Sequence, residues 1–167
     1  MLNGGENNKI RERGYRMHEI KRILFPVDFS VNSCQVADHV IYFAQKFDAH
    51  IYLLHVLECL MPLQGFYIPH ISVETLEEDL KKAAEKKMEE FVHKEMKGYK
   101  GITSQVIIGI PHVEILKMAK EQAVDLIIMG THGWTGLEHV IFGSVAGKVV
   151  RKAPCPVLTV RVKPEES

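Results

Sequence analysis

This sequence has no long apolar run, no paired cysteines and no excess of either charge, and each absence removes a class of function. The longest uncharged stretch, Cys59–Val73, is broken by Pro62, Gly65 and Pro69, whereas a membrane-spanning helix needs about 20 apolar residues. The opening MLNGGENNKIRERGYRMHEI lacks the apolar middle that a signal peptide carries. The expectation is a cytoplasmic protein with no membrane partner. Cys34, Cys59 and Cys155 stand far apart with no Cys-x-x-Cys, so reduced, partly buried thiols are expected rather than a disulfide or a zinc site. Lys plus Arg and Asp plus Glu both total 21. With no net charge there is no global field to hold nucleic acid or an anionic membrane, and no nucleic-acid partner is expected.

What is present is enough for one ordinary core: 167 residues, 46% of them hydrophobic. Residues 1–19 are polar, Gly/Asn-rich and then basic, and read as a flexible N-terminal extension. Residues 20–163 read as a single domain in which apolar runs and helical patterns alternate. The runs are RILFPVD (Arg22–Asp28), HIYLLHV (His50–Val56), ITSQVIIG (Ile102–Gly109), VDLIIMG (Val124–Gly130) and PVLTVRV (Pro156–Val162). Short and almost wholly apolar, they suit strands covered on both faces. Between them, Ala37, Val40, Ile41, Ala44 and Phe47 recur at helical spacing, as do Leu76, Leu80, Ala84, Met88, Phe91 and Met96. Pro111 opens a shorter helix with Ile115, Leu116, Ala119 and Ala123 inward, and Ser144–Lys152 makes a last one. The alternation predicts an α/β three-layer sandwich on a five-stranded parallel sheet of order 3-2-1-4-5. In such sheets ligands bind beyond the C-terminal strand ends, where the winding reverses. Asp28 and Gly130 flank that point.

Glycines crowd the same region. Gly130 and Gly133 follow the fourth strand, and Gly143 with Ser144 opens the next helix. A helix N-terminus offers unpaired N–H groups and a partial positive charge, which suits phosphate. Tight turns alone would also account for the glycines, and spacing does not separate the two readings. GSVAGK (Gly143–Lys148) is too short for a P-loop, and no Ser or Thr follows Lys148.

The segment GTHGWTGLEHVIFGS fits Gly-x2-Gly-x9-Gly-Ser/Thr through Gly130, Gly133, Gly143 and Ser144. It resembles the nucleotide-binding signature of the universal stress protein family. KRILFPVDFS at Lys21–Ser30, LLHV at Leu53–Val56, GIPHVEILKMAKEQAVDLIIMGTHG at Gly109–Gly133 and PCPVLTVR near the end are similar to further blocks of that family, in the same order. The resemblance spans Ile20 to Val162. It implies an adenine nucleotide alpha hydrolase-like fold, a homodimer, and ATP (or AMP/ADP) as ligand, with Mg2+ or Mn2+ held through the phosphates. It implies that Pro26, Val27 and Asp28 sit near the adenine and ribose, and that Val56 meets the adenine through its backbone. Met129 and Gly130 would line the ribose side. Gly133, Gly143, Ser144 and Val145 would hold the phosphates, with His132 nearby. Ala146 departs from the pattern: many ATP-binding members have Ser or Thr there, so one hydroxyl contact is missing.

Single residues keep two readings. Asp28 is either a ribose acceptor or a helix-capping carboxylate. His55, ending an apolar strand, reads as a satisfied core residue. His132 and His139 read as loop histidines, not metal ligands. Lys148, Arg151 and Lys152 read as a solvated face and helix C-terminal charges. The apolar loop Cys59–Val73 fits local packing first, then a ligand lid or a dimer contact. The weakly charged last strand, Pro156–Val162, is an open edge that invites an isologous homodimer. No catalytic set of nucleophile, base and arginine finger is apparent. The functional expectation is a cytoplasmic nucleotide-binding stress-response protein, sensing or carrying ATP with at most slow hydrolysis. Alternatives are an interaction or scaffold domain of the same fold without nucleotide, or a nucleotidyl transferase.

Overall fold

The computed structural model describes residues 19–58, 73–131 and 143–161. The expectations placed on the N-terminal extension and on the apolar loop from residue 59 to 72 fall outside these residues. Strand and helix alternate: β1 (Arg22–Pro26), α1 (Val31–Phe47), β2 (His50–Glu58), α2 (Val73–Glu95), β3 (Ile102–Gly109), α3 (Pro111–Glu121), β4 (Leu126–Gly130), α4 (Ser144–Lys152) and β5 (Val157–Val160). The strands form one parallel sheet in the order β3-β2-β1-β4-β5, as the alternation predicts.

Successive residues of a strand point to opposite faces, and the apolar runs divide accordingly. Ile23 and Phe25 of β1, Ile51 and Leu53 of β2, and Leu126 and Ile128 of β4 pack with α1 and α2 through residues such as Val36, Val40, Met88 and Phe91. Leu24, Leu54, Ile127 and Met129 face the other way and meet Ile115 and Met118 of α3 and Ala146 and Val149 of α4. The sheet is the middle of three layers. Across the three central strands, β2, β1 and β4, both faces are covered, so these strands carry apolar residues at consecutive positions.

Local signals set the helix ends. Ser30 caps α1, its side chain accepting from Ser33 N. The helix stops at Asp48, whose backbone is left-handed (φ 49°) and whose N–H donates to Ala44 O. Tyr99 reinforces that end: its hydroxyl donates to Ala49 O at 2.7 Å and lies 3.3 Å from Ala44 O. Beyond α2 the chain turns through Lys97 and Gly98, both at positive φ, where glycine costs nothing sterically.

Three expected inward positions are corrected. Leu80 of α2 is 41% exposed, although Ala84, Met88, Phe91 and Met96 are buried. Phe47 ends α1 at the rim, 36% exposed. Ala123 lies beyond α3, exposed and at φ 45°, because the helix ends at Glu121 with Gln122 as its cap; Met118 takes the inward place. Cys34 and Cys155 are free and half-buried. Burial, then Glu95, pushes the Cys34 thiol up, and burial, then Asp125, does the same for Cys155, so both stay protonated and unreactive near neutrality.

The two sheet edges differ. On β3, Thr103, Ser104 and Gln105 are exposed; on β5 all four residues, Val157–Val160, are half-buried. Among the described residues no helix is long and apolar enough to cross a membrane. Tyr99→Phe removes a bond that ties the α1 exit to β3's approach, and is expected to lower stability by about 1 kcal/mol. Thermal denaturation should show a melting point about 2–4 °C lower; an unchanged midpoint would show that water satisfies those carbonyls equally well.

Candidate functional site

The site begins with a mismatch in strand length. β1 ends at Pro26, paired with Leu54, while β2 continues to Glu58. Three bonds set which way the β2 backbone faces. His50 N donates to Lys21 O at 2.7 Å and Val27 N donates to Leu54 O at 2.8 Å, so even-numbered β2 residues face β1. Ile51 N donates to Gly101 O at 2.7 Å, so odd-numbered ones face β3. By this alternation the N–H and C=O of Val56 point to where β1 has already ended.

A carboxylate draws the chain away from the sheet. Asp28 Oδ1 accepts from Ser30 N at 3.0 Å, from Ser30 Oγ at 2.6 Å and from Ser33 Oγ at 2.6 Å. Asp28 N in turn donates to Ser33 Oγ at 3.2 Å. Between them Phe29 takes φ 60°, a conformation that costs a residue with a Cβ about 1–2 kcal/mol. Its ring lies 4.3 Å from that of His55 and 5.9 Å from that of Phe91. Asp28 thus braces Ser30, the residue that caps α1, and it also lines the cavity.

On the far side, Thr131 follows β4 and is buried. Its N–H donates to Val160 O at 3.1 Å and its carbonyl accepts from Gly143 N at 2.8 Å. The Gly143 amide is thus committed to the protein. Gly143 is the N-cap of α4, with extended backbone (φ −61°, ψ 165°) and no side-chain cap bond. The first bond of the helix is Gly147 N to Gly143 O, at 3.0 Å. The amides of Ser144, Val145 and Ala146 come before it, as the unpaired donors of a helix start.

These parts enclose a cavity of about 460 Å³ between β1 and β4, at the C-terminal strand ends. Pro26, Val27 and Asp28 line it from β1's end, Val56 from β2, and Met129 and Gly130 from β4. Gly143, Ser144 and Val145 line it from α4. Of the residues expected from the sequence, only His132 and Gly133 are missing, because they lie outside the described residues. The sequence reading missed His55, Glu58, Thr131 and Pro111, which also line the cavity. Only position could have found them: each adjoins a strand end or helix start already singled out. Ala146, where a hydroxyl is absent, is 4% exposed and packs with Val149 against the sheet.

His55 is not simply a core residue. It is half-buried, and its Nδ1 lies 2.8 Å from Val27 O. A carbonyl only accepts, so Nδ1 carries the proton. Burial lowers the His55 pKa from its ordinary 6.5, against the opposing pull of the Val27 carbonyl and Asp28. Next to Pro111 in the chain, His112 is also held low, by burial and then by Lys148 and Lys152. Arg151 and Lys152 occupy the last turn of α4, as a helix C-terminus favours.

The model of the universal stress protein family matches residues 19–161. The chain belongs to that family. This universal stress protein is 37% identical over 165 residues to universal stress protein MJ0531 of Methanocaldococcus jannaschii, covering 95% of this chain and 91% of the relative. It is 33% identical over 147 residues to YxiE of Bacillus subtilis, covering 84% and 98%. The solved structure of MJ0577 from M. jannaschii matches with a TM-score of 0.75 at 35% identity, over 88% of this chain and 99% of that one. UspA from Lactobacillus plantarum matches at 0.65 and 25% identity, over 86% and 99%. The fold is adenine nucleotide alpha hydrolase-like, with the sheet order the family resemblance implied.

The lowered His55 pKa gives this universal stress protein a pH-dependent stability. As pH falls through about 6.5 the unfolded chain takes up the proton before the folded one, so stability drops. The loss levels off once pH is below the folded pKa. His55→Asn removes that contribution, and its urea stability should change less than wild type's between about pH 7.5 and about pH 5. Parallel profiles would show that His55 carries none of the effect.

Proposed function

We propose that this universal stress protein binds an adenine nucleotide, ATP or AMP/ADP, in the cavity between β1 and β4, and senses or carries it with at most slow hydrolysis. The observation that carries this reading is the start of α4: amides without side-chain caps facing a cavity at the reversal of winding. Phosphate oxygens suit Ser144 N–H, Val145 N–H and the Ser144 hydroxyl. The Gly143 amide, already bonded to Thr131 O, drops out of that set, leaving Gly143 as the cap that brings no side chain between helix and ligand. The Val56 backbone pair suits a base edge, and Asp28 the ribose. His132 and Gly133 belong to the proposed set by resemblance. Two solved proteins of the same fold support an adenine ligand: a universal stress protein in complex with cAMP, and one from Archaeoglobus fulgidus in complex with dAMP.

Among the described residues no group of three or more His, Cys, Asp or Glu is placed to hold a metal ion. In this reading Mg2+ or Mn2+ is carried by the phosphates and water, not by a protein ligand set. A cytoplasmic stress-response role belongs to the same reading, as does a homodimer through the strand Pro156–Val162, of which Val162 lies outside the described residues.

Ser144→Pro tests the phosphate contact directly. Proline suits the first position of a helix, and the backbone of Gly143 is already in the region that precedes proline. The variant should fold normally yet bind AMP and ATP about ten- to a hundredfold more weakly by calorimetry, the worth of a charged hydrogen bond. Undiminished affinity would move the phosphate elsewhere, and no binding by wild type would leave the scaffold alternative. Light scattering after size exclusion should give twice the 19.0 kDa chain mass; a peak at the single-chain mass would remove the dimer.

A further inference from the structure

We propose that His55 is a positioning residue that keeps the backbone of Val56 open to the ligand's base. The proposal rests on the nucleotide reading above, but its structural half stands apart from it. In a continuing β1–β2 ladder, Val56 N–H would donate to Val27 O, by the alternation that sends Val27 N–H to Leu54 O. Instead Val27 O accepts from His55 Nδ1 at 2.8 Å. The side chain of one residue takes the acceptor that the next residue's amide would have used.

The imidazole is held there from two sides. The hydrogen bond fixes its Nδ1 edge. The Phe29 ring stacks at 4.3 Å, tilted 31°, and Phe29 is placed by the left-handed turn that Asp28 secures. That turn also removes Phe29 N–H, the donor a continuing ladder would have offered to Val56 C=O. One donor and one acceptor on Val56 are left together, in a cavity lined by Val56 itself. A purine edge with one ring nitrogen acceptor and one amino donor complements that pair. In this role His55 acts through Val27 and Val56, by the bond it makes to the Val27 carbonyl.

Two substitutions and two readouts separate this from ordinary structural support. Asparagine places an N–H donor near the position of histidine Nδ1, so His55→Asn should keep the Val27 carbonyl occupied. His55→Leu cannot, and the ladder can close. In ligand-free protein, amide hydrogen exchange at Val56 should be fast in wild type and His55→Asn, and slower by at least about tenfold in His55→Leu. AMP affinity by calorimetry should fall about three- to tenfold in His55→Leu, the worth of a hydrogen bond, and by less than about twofold in His55→Asn. Ribose 5-phosphate, which has no base, should bind all three alike. A Val56 amide already protected in wild type overturns the proposal. So does a His55→Leu loss shared equally by AMP and ribose 5-phosphate, or a His55→Asn loss as large as that of His55→Leu. If wild type binds neither AMP nor ATP while the Val56 exchange pattern holds, the nucleotide reading fails and the role of His55 in opening Val56 stands.

Discussion

The architecture of this universal stress protein depends on β1 stopping short. β2 runs to Glu58 and β4 to Gly130, but the strand between them is finished at Pro26. Proline has no N–H to offer a neighbouring strand, and two residues later one oxygen of Asp28 gathers Ser30 and Ser33 into the start of α1. Had the ladder continued, backbone would have filled the space that is now a cavity. Strain at Phe29 is the cost of that departure, and its ring contacts with His55 and Phe91 help to offset it.

The opposite wall is organised by backbone groups of a single residue. Thr131 joins β5 through its N–H and the start of α4 through its carbonyl. A helix start held by main-chain bonds to a buried neighbour is fixed in direction, which a ligand relying on its dipole requires. The arrangement also divides labour within the glycine-serine pair. Gly143 is tied down and carries no side chain; the donors that follow are the ones with somewhere to point. Ala146 has gone further toward the protein interior, serving the core beside Val149.

Most of the fold was legible because burial on both faces writes itself into the strands as unbroken apolar runs. The inner faces of the helices were less so. Helical spacing fixes which residues share a stripe but not how far along that stripe a partner lies, so Leu80 fits the pattern of Ala84 and Met88 yet remains exposed. Ala123 failed differently: the left-handed residue that ends a helix is usually glycine, and here alanine fills that role. At the cavity, the lining from Pro26 to Val145 followed from strand ends and from the family pattern. The bonds of His55 to Val27 and of Thr131 to Gly143 did not. Both use main-chain acceptors, which every residue has, so no choice of side chain announces them.

The unlike margins of the sheet bear on how large an assembly can become. β3 shows water a row of Thr103, Ser104 and Gln105, while β5 shows half-buried valines, a leucine and a threonine. The proposed two-fold pairing through β5 would consume that margin in both copies at once, and each copy would then turn only its hydrophilic border outward. In the dimer proposed above growth would halt after a single step: a chain whose strands could template an endless ribbon would carry its own terminator.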